Sequence, residues 1–133
     1  TTAERYGLLS RIDFINHDIL EGMPNISPPD IIVSNPPYIT SLEMEQLEPS
    51  VKNYEPHLAL HGGDDGLDFY RSITENFTHA LKPGGCLCFE FGMGQETAVE
   101  QILLQHGYEI VAWKRDASGI MRAVQARKKE KDD

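Results

Sequence analysis

Asn35-Pro36-Pro37-Tyr38 is the stretch of this sequence whose residue types best suit chemistry. It follows Asp30-Ile31-Ile32-Val33, a β-branched run of the kind that forms central parallel strands. Open α/β sheets bind ligands at that carboxyl end. Pro36 and Pro37 fix φ and lack N–H groups, so they stiffen the loop and leave carbonyl oxygens without competing donors. Asn35 precedes proline and is held extended, which fixes the direction of its side chain. Its amide oxygen and the Pro36 carbonyl could together accept both N–H bonds of a substrate –NH2 group, while Tyr38 offers a flat face for stacking. An amide or aromatic amine nitrogen is a poor nucleophile, because its lone pair is delocalised. Two acceptors aimed at it suit a difficult methyl transfer, with orientation and electrostatics supplying most of the acceleration. The same residues also fit a plain turn in which two prolines end an edge strand.

The elements around this loop are legible from periodicity. Residues 11–16 (RIDFIN) alternate apolar and polar side chains as a half-buried strand does, and His17-Asp18-Ile19-Leu20 follows. Residues 40–48 read as a short polar helix. Leu67, Tyr70, Ile73, Phe77 and Leu81 mark one face of a helix over 67–81, stopped by Pro83-Gly84-Gly85. Residues 86–91 (CLCFEF) read as a buried strand, and 96–106 as a second amphipathic helix closing on Gly107. Strands at 108–113 and 120–126 are joined by Asp116-Ala117-Ser118-Gly119, too tightly for a parallel crossover, so this pair is expected to be antiparallel. The alternation elsewhere predicts an α/β layer with a mainly parallel sheet.

Composition narrows the function. The chain has 133 residues, one domain's worth, and twelve basic against 21 acidic residues give a net charge of -9. That balance disfavours a nucleic-acid partner, since phosphates call for a basic face. No apolar stretch approaches the ~20 residues that span a bilayer, and no signal-peptide pattern opens the chain. Cys86 and Cys88 fall on one face of a strand with nothing to complete a metal site, and the histidines form no ligand pattern. They read as a free thiol pair in a reducing compartment, and no metal is expected.

The longer patterns carry a family resemblance. DIIVSNPPYI (30–39), YEPHLALHGGDDGLDFYR (54–71), LKPGGCLCFEFGMGQ (81–95) and KRDASGIMR (114–122) resemble the HemK-type (PrmC) release-factor glutamine methyltransferases. The Asn-Pro-Pro-Tyr motif alone is shared with adenine-amino methyltransferases of DNA and RNA; the other patterns, in this order, are more specific. The resemblance implies an α/β, Rossmann-like fold that uses S-adenosylmethionine. It also implies a peptide-chain release factor as partner, methylated on the glutamine nitrogen of its Gly-Gly-Gln motif. By position, Asn35, Pro36 and Tyr38 would be catalytic and grip the glutamine amide together with Pro37, and Asn35 would also lie near the cofactor's methionine end. Asp18 and Ile19 match the place that contacts the cofactor's adenine, although Asp18 equally suits a turn cap. Glu90 would line the substrate pocket or pair with a cation. Residues 54–56 and Gly62 to Gly66 would shape the pocket wall, with Asp64 or Asp65 capping the helix from Leu67, and Asp116 and Arg122 would build a structural turn.

Part of the family's pattern has no counterpart. No Gly-x-Gly-x-Gly turn follows a strand; Gly92-x-Gly94 is nearest and follows a different one. Thr1 to Leu8 reads as the end of a helix closing near Gly7, with no initiator methionine. The expectation is a C-terminal catalytic part over residues 1–127 with a charged tail at 128–133, truncated so that the first two strands are missing. Such a piece would be inactive alone, bind cofactor weakly and self-associate through exposed sheet edges. The implied location is the cytoplasm, or an organelle in a eukaryote. The competing readings are an adenine-amino methyltransferase and a non-catalytic binding module.

Overall fold

The computed structural model describes residues 1–46 and 60–130. A short helix α1 (Thr2–Arg5) opens the chain, and Gly7 turns it at φ 66°, as the sequence indicates. Strand β1 (Ile31–Ser34) leads to α2 (Ser41–Gln46). Helix α3 (Asp68–Phe77) carries the chain to β2 (Cys86–Glu90), and α4 (Glu96–Gln105) carries it to β3 (Tyr108–Arg115). A tight turn then returns it as β4 (Met121–Lys128).

The sheet order is β1-β2-β4-β3. The β3–β4 pair is antiparallel, as the short connection requires. The sheet is less parallel than the sequence suggests, because among the described strands only β1–β2 pairs in parallel. β4 is the single reversed strand, and by inserting between β2 and β3 it makes both of its contacts antiparallel.

Alternation along β2 decides which face is dry. Leu87 and Phe89 are buried with the following Phe91, against Tyr70, Ile73 and Phe77 of α3 and Val99, Ile102 and Leu103 of α4. Tyr70 and Phe89 meet edge to face at 5.0 Å. Cys86, Cys88 and Glu90 point the other way, where no helix among the described residues covers the sheet: Ile31 and Val33 are 62% and 77% exposed beside them. Both cysteines are free and half-buried, and burial pushes the Cys88 thiol up, with Cys86 adding to the shift.

The expected strand at 11–16 does not form. Leu9–Arg11 is a 3-10 turn and the residues after it are exposed, Phe14 at 73%. A strand exists only through its ladder partners, and none of the described strands runs beside this segment. Lys128, which the sequence places in a charged tail, is the last residue of β4. Its ammonium donates to the Leu81 carbonyl at 2.8 Å and to that of Thr78, filling acceptors just past the end of α3. At the β3–β4 turn, Asp116 accepts from the Ser118 and Ile120 amides at 2.8 and 3.0 Å and from Arg122 at 3.0 Å.

The Tyr70 hydroxyl donates to the Glu90 carbonyl at 2.8 Å, so Tyr70→Phe should cost about 1 kcal/mol in urea denaturation. Phe89→Ala should cost about 3–5 kcal/mol by opening a cavity. Arg122 and the turn amides hold the Asp116 carboxyl below its usual range. A lowered folded pKa gives stability that is present above the unfolded value of about 3.9 and is lost as pH falls through the folded value. The stability gap between wild type and Asp116→Asn should therefore close as the pH is lowered from about 5 to about 2.

Candidate active site

β1 ends at Ser34, and Asn35 leaves the sheet beside the end of β2, because Ser34 stands opposite Phe89. Asn35 is exposed, and its side-chain amide has no hydrogen-bond partner among the described residues. Pro36 is buried, Pro37 and Tyr38 are half-buried, and every peptide bond in the loop is trans. Asn35, Pro36, Pro37, Tyr38, Ile39 and Leu60 line a cleft of about 210 Å3.

Backbone packing holds this loop in place. The Ile39 amide donates to the Leu60 carbonyl at 3.1 Å, and the Gly62 amide to the Ile39 carbonyl at 2.9 Å. A Cβ on Gly62 would lie 2.5 Å from the Pro37 carbonyl oxygen. One on Gly66, which sits at φ 77°, would lie 2.3 Å from the Tyr38 carbonyl oxygen. One on Gly92 would lie 2.6 Å from the Tyr38 ring, so that ring rests on bare backbone. Gln95 joins the pieces: its Nε2 donates to the Tyr38 carbonyl at 3.1 Å and its Oε1 accepts from the Gly92 amide at 2.9 Å. Of the segments expected to shape the pocket wall, Gly62 and Gly66 pack against the backbone of Pro37 and Tyr38, whereas residues 54–56 lie outside the described residues. Nothing in local spacing assigned a role to Gly92 or Gln95; the FEFGMGQ pattern contained them without one.

The remaining candidates distribute unevenly. Glu90 is exposed at the end of β2, level with Asn35, and makes no ion pair among the described residues. Burial pushes the Tyr70 phenol well above its ordinary value, and neighbouring Tyr38 and Glu90 add to it, so Tyr70 remains a donor. Asp18 caps the 3-10 turn Ile19–Glu21, accepting from the Leu20 amide at 3.0 Å. Ile19 packs on the core, and its carbonyl accepts from Ser72 of α3 at 3.4 Å. Asp65 accepts from the Leu67 amide at 3.0 Å just before α3, and Arg71 holds its carboxyl below the usual range. Asp64 instead accepts from Ser41 at 2.6 Å. Among the described residues no cluster could hold a metal ion, and no helix is long and apolar enough to cross a membrane.

No protein-family model matches the sequence. Curated relatives do. The release factor glutamine methyltransferase of Geobacter sulfurreducens is 41% identical over 125 residues, 94% of this chain and 43% of that one. That of Clostridium acetobutylicum is 42% identical over 120 residues, 90% of this chain and 42% of that one. The chain is a homologue of the release factor glutamine methyltransferases, the HemK/PrmC family. It spans about two fifths of the length of these relatives. Among solved structures, the N-methyltransferase NodS from Bradyrhizobium japonicum in complex with S-adenosyl-L-homocysteine aligns with a TM-score of 0.55 at 18% identity. The alignment covers 96% of this chain and 60% of NodS, and the shared fold is the Rossmann-like fold of S-adenosylmethionine-dependent methyltransferases.

Gly66→Ala should cost about 1–3 kcal/mol in thermal denaturation, since it adds strain at positive φ to a clash with the Tyr38 carbonyl. Amide exchange at Gly62, which reports on the Ile39 carbonyl, should accelerate with it.

Proposed function

We propose that the protein methylates the side-chain nitrogen of the glutamine in the Gly-Gly-Gln motif of a peptide-chain release factor, and that residues 1–133 belong to the catalytic part of a longer chain. The observation that carries this reading is the exposed Asn35 amide, without a hydrogen-bond partner among the described residues, at the carboxyl end of β1 beside a Tyr38 ring braced on Gly92. The activity for which the relatives are named supports the substrate class, and the NodS complex with S-adenosyl-L-homocysteine supports S-adenosylmethionine as the cofactor.

The residues present fit part of such a cofactor. Asn35 offers a free amide where its methionine end would lie. Asp18 keeps Oδ2 free of hydrogen bonds among the described residues, although its Oδ1 serves the turn, and Ile19 is half-buried beside it. When bound, S-adenosylmethionine supplies an electrophilic methyl carbon on a sulfonium that leaves as a neutral thioether. The chain's part is orientation. Asn35 Oδ1 and the Pro36 carbonyl accept the two N–H bonds of the glutamine amide, drawing its nitrogen lone pair out of conjugation and toward the methyl carbon. Tyr38 stacks on the flat amide, and Pro37 keeps the loop from yielding. The nitrogen's surplus proton departs after transfer, so no strong base is needed. Glu90, level with Asn35 and exposed, lines the entrance where the substrate loop would approach.

The test offers the full-length protein, with labelled cofactor, both a release factor and adenine-containing DNA, and locates the label by mass spectrometry. Label is expected on the Gly-Gly-Gln glutamine, falling by about 10²–10³-fold in kcat with Asn35→Ala. Label on adenine instead would overturn the reading.

A further inference from the structure

We infer that Gln95 is a positioning residue whose amide sets the height and tilt of the Asn35–Tyr38 loop, and with them the angle at which the substrate nitrogen is presented. The inference rests on the methyl-transfer reading of that loop.

Close backbone packing confines the loop, but few hydrogen bonds fix it. Pro36 and Pro37 have no N–H to donate, and the Asn35 side chain makes no hydrogen bond among the described residues. Between Asn35 and Tyr38 the bond from Gln95 Nε2 to the Tyr38 carbonyl is the one hydrogen bond outside the sheet ladder among the described residues. Its direction is fixed by chemistry: the Gly92 amide can only donate and the Tyr38 carbonyl can only accept, so Oε1 must face Gly92 and Nε2 must face Tyr38. Gln95 is itself rigid. It sits at the N-cap of the ten-residue helix α4, its carbonyl accepts from the Val99 amide at 3.0 Å, and its amide donates to the Gly92 carbonyl at 3.1 Å.

There is also no slack around the bond. A Cβ on Gly66 would come within 3.0 Å of Nε2, and one on Gly92 within 3.1 Å of Oε1. The glutamine amide therefore fills a slot that two glycines leave open, and it ties a loop 57 residues away in sequence to the start of α4. A shift of about 1 Å in a group that orients substrate can lower a rate by about 10²-fold. This bond is in a position to prevent such a shift.

Two variants of the full-length protein separate positioning from mere packing. Gln95→Met keeps the length and loses both bonds. Gln95→Glu keeps acceptance from Gly92, but when ionised it cannot donate to Tyr38. Both should retain cofactor binding within about twofold and lower kcat by about tenfold or more, with KM for the release factor changing less. Relative to wild type, Gln95→Glu should recover only as the pH falls through the ordinary glutamate range at about 4.3, because a protonated carboxyl donates again; Gln95→Met should not. Amide exchange at Ile39 and Gly62 should accelerate in both variants at neutral pH, whereas exchange at Gly92 should accelerate only in Gln95→Met.

Wild-type kcat in both variants, or unchanged exchange at Ile39 and Gly62, would overturn the inference while leaving the glutamine reading intact if wild type still labels a release factor. Should wild type label adenine instead, the functional reading fails and the same variants, assayed on adenine, still decide the role of Gln95. If wild type labels neither, the exchange rates decide it.

Discussion

Three glycines from two segments close on one four-residue loop, and the architecture of the site depends on the space their missing side chains leave. Gly62 admits the Pro37 carbonyl, Gly66 admits the Tyr38 carbonyl, and Gly92 admits the Tyr38 ring. A loop containing two prolines cannot secure itself with its own amides. It is held instead by direct backbone approach, closer than any Cβ would allow, and by one glutamine amide laid across the junction. That arrangement leaves the Asn35 side chain uncommitted among the described residues. A rigid frame carrying one unspent amide is the form that orientation catalysis needs, because the group that grips substrate must not already be spent on the protein.

The frame is in turn set by β2. Its buried residues, Leu87 and Phe89, fix the strand against α3 and α4, and register then places Ser34 opposite Phe89, so that Asn35 and Glu90 emerge at one level. Tyr70 ties the layers together at the same height, with its ring against Phe89 and its hydroxyl on the Glu90 carbonyl. The packing core and the site thus share a boundary only a residue or two thick.

Much of this was legible in the sequence, for identifiable reasons. The 3.6-residue spacing of Tyr70, Ile73 and Phe77, and that of Val99, Ile102 and Leu103, reports burial on one helix face, and those residues are buried. The Asn-Pro-Pro-Tyr stretch follows a strand because β-branched residues and prolines punctuate the chain locally. What escaped was non-local. Residues 11–16 alternate as a strand should, but alternation specifies only a face, and a ladder needs a neighbour that local pattern cannot supply. The insertion of β4 between β2 and β3 likewise leaves no local trace, so a helix–strand alternation suggested more parallel pairing than is present. The FEFGMGQ pattern contained Gln95, but its role was invisible for the same reason: both of its side-chain bonds go to backbone, and one partner is 57 residues away.

The distribution of charge fits the same division of labour. A net charge of -9 would penalise approach to a polyphosphate backbone, yet it would cost little at a site built to hold a neutral amide by two acceptors, as proposed above. The ion pairs observed near the site, such as Arg71 with Asp65, serve the turn into α3 and stand apart from the loop that would grip substrate. Had the reaction required a charged nucleophile or a strong base, some titratable group would have to sit within reach of the Asn35 amide with a partner to tune it. Glu90 is the acidic residue level with Asn35, and it is exposed and without an ion pair among the described residues. Neutral acceptors, a flat ring and a fixed backbone are what the loop presents, and these are the elements by which a weakly nucleophilic amide nitrogen can be aimed without being ionised.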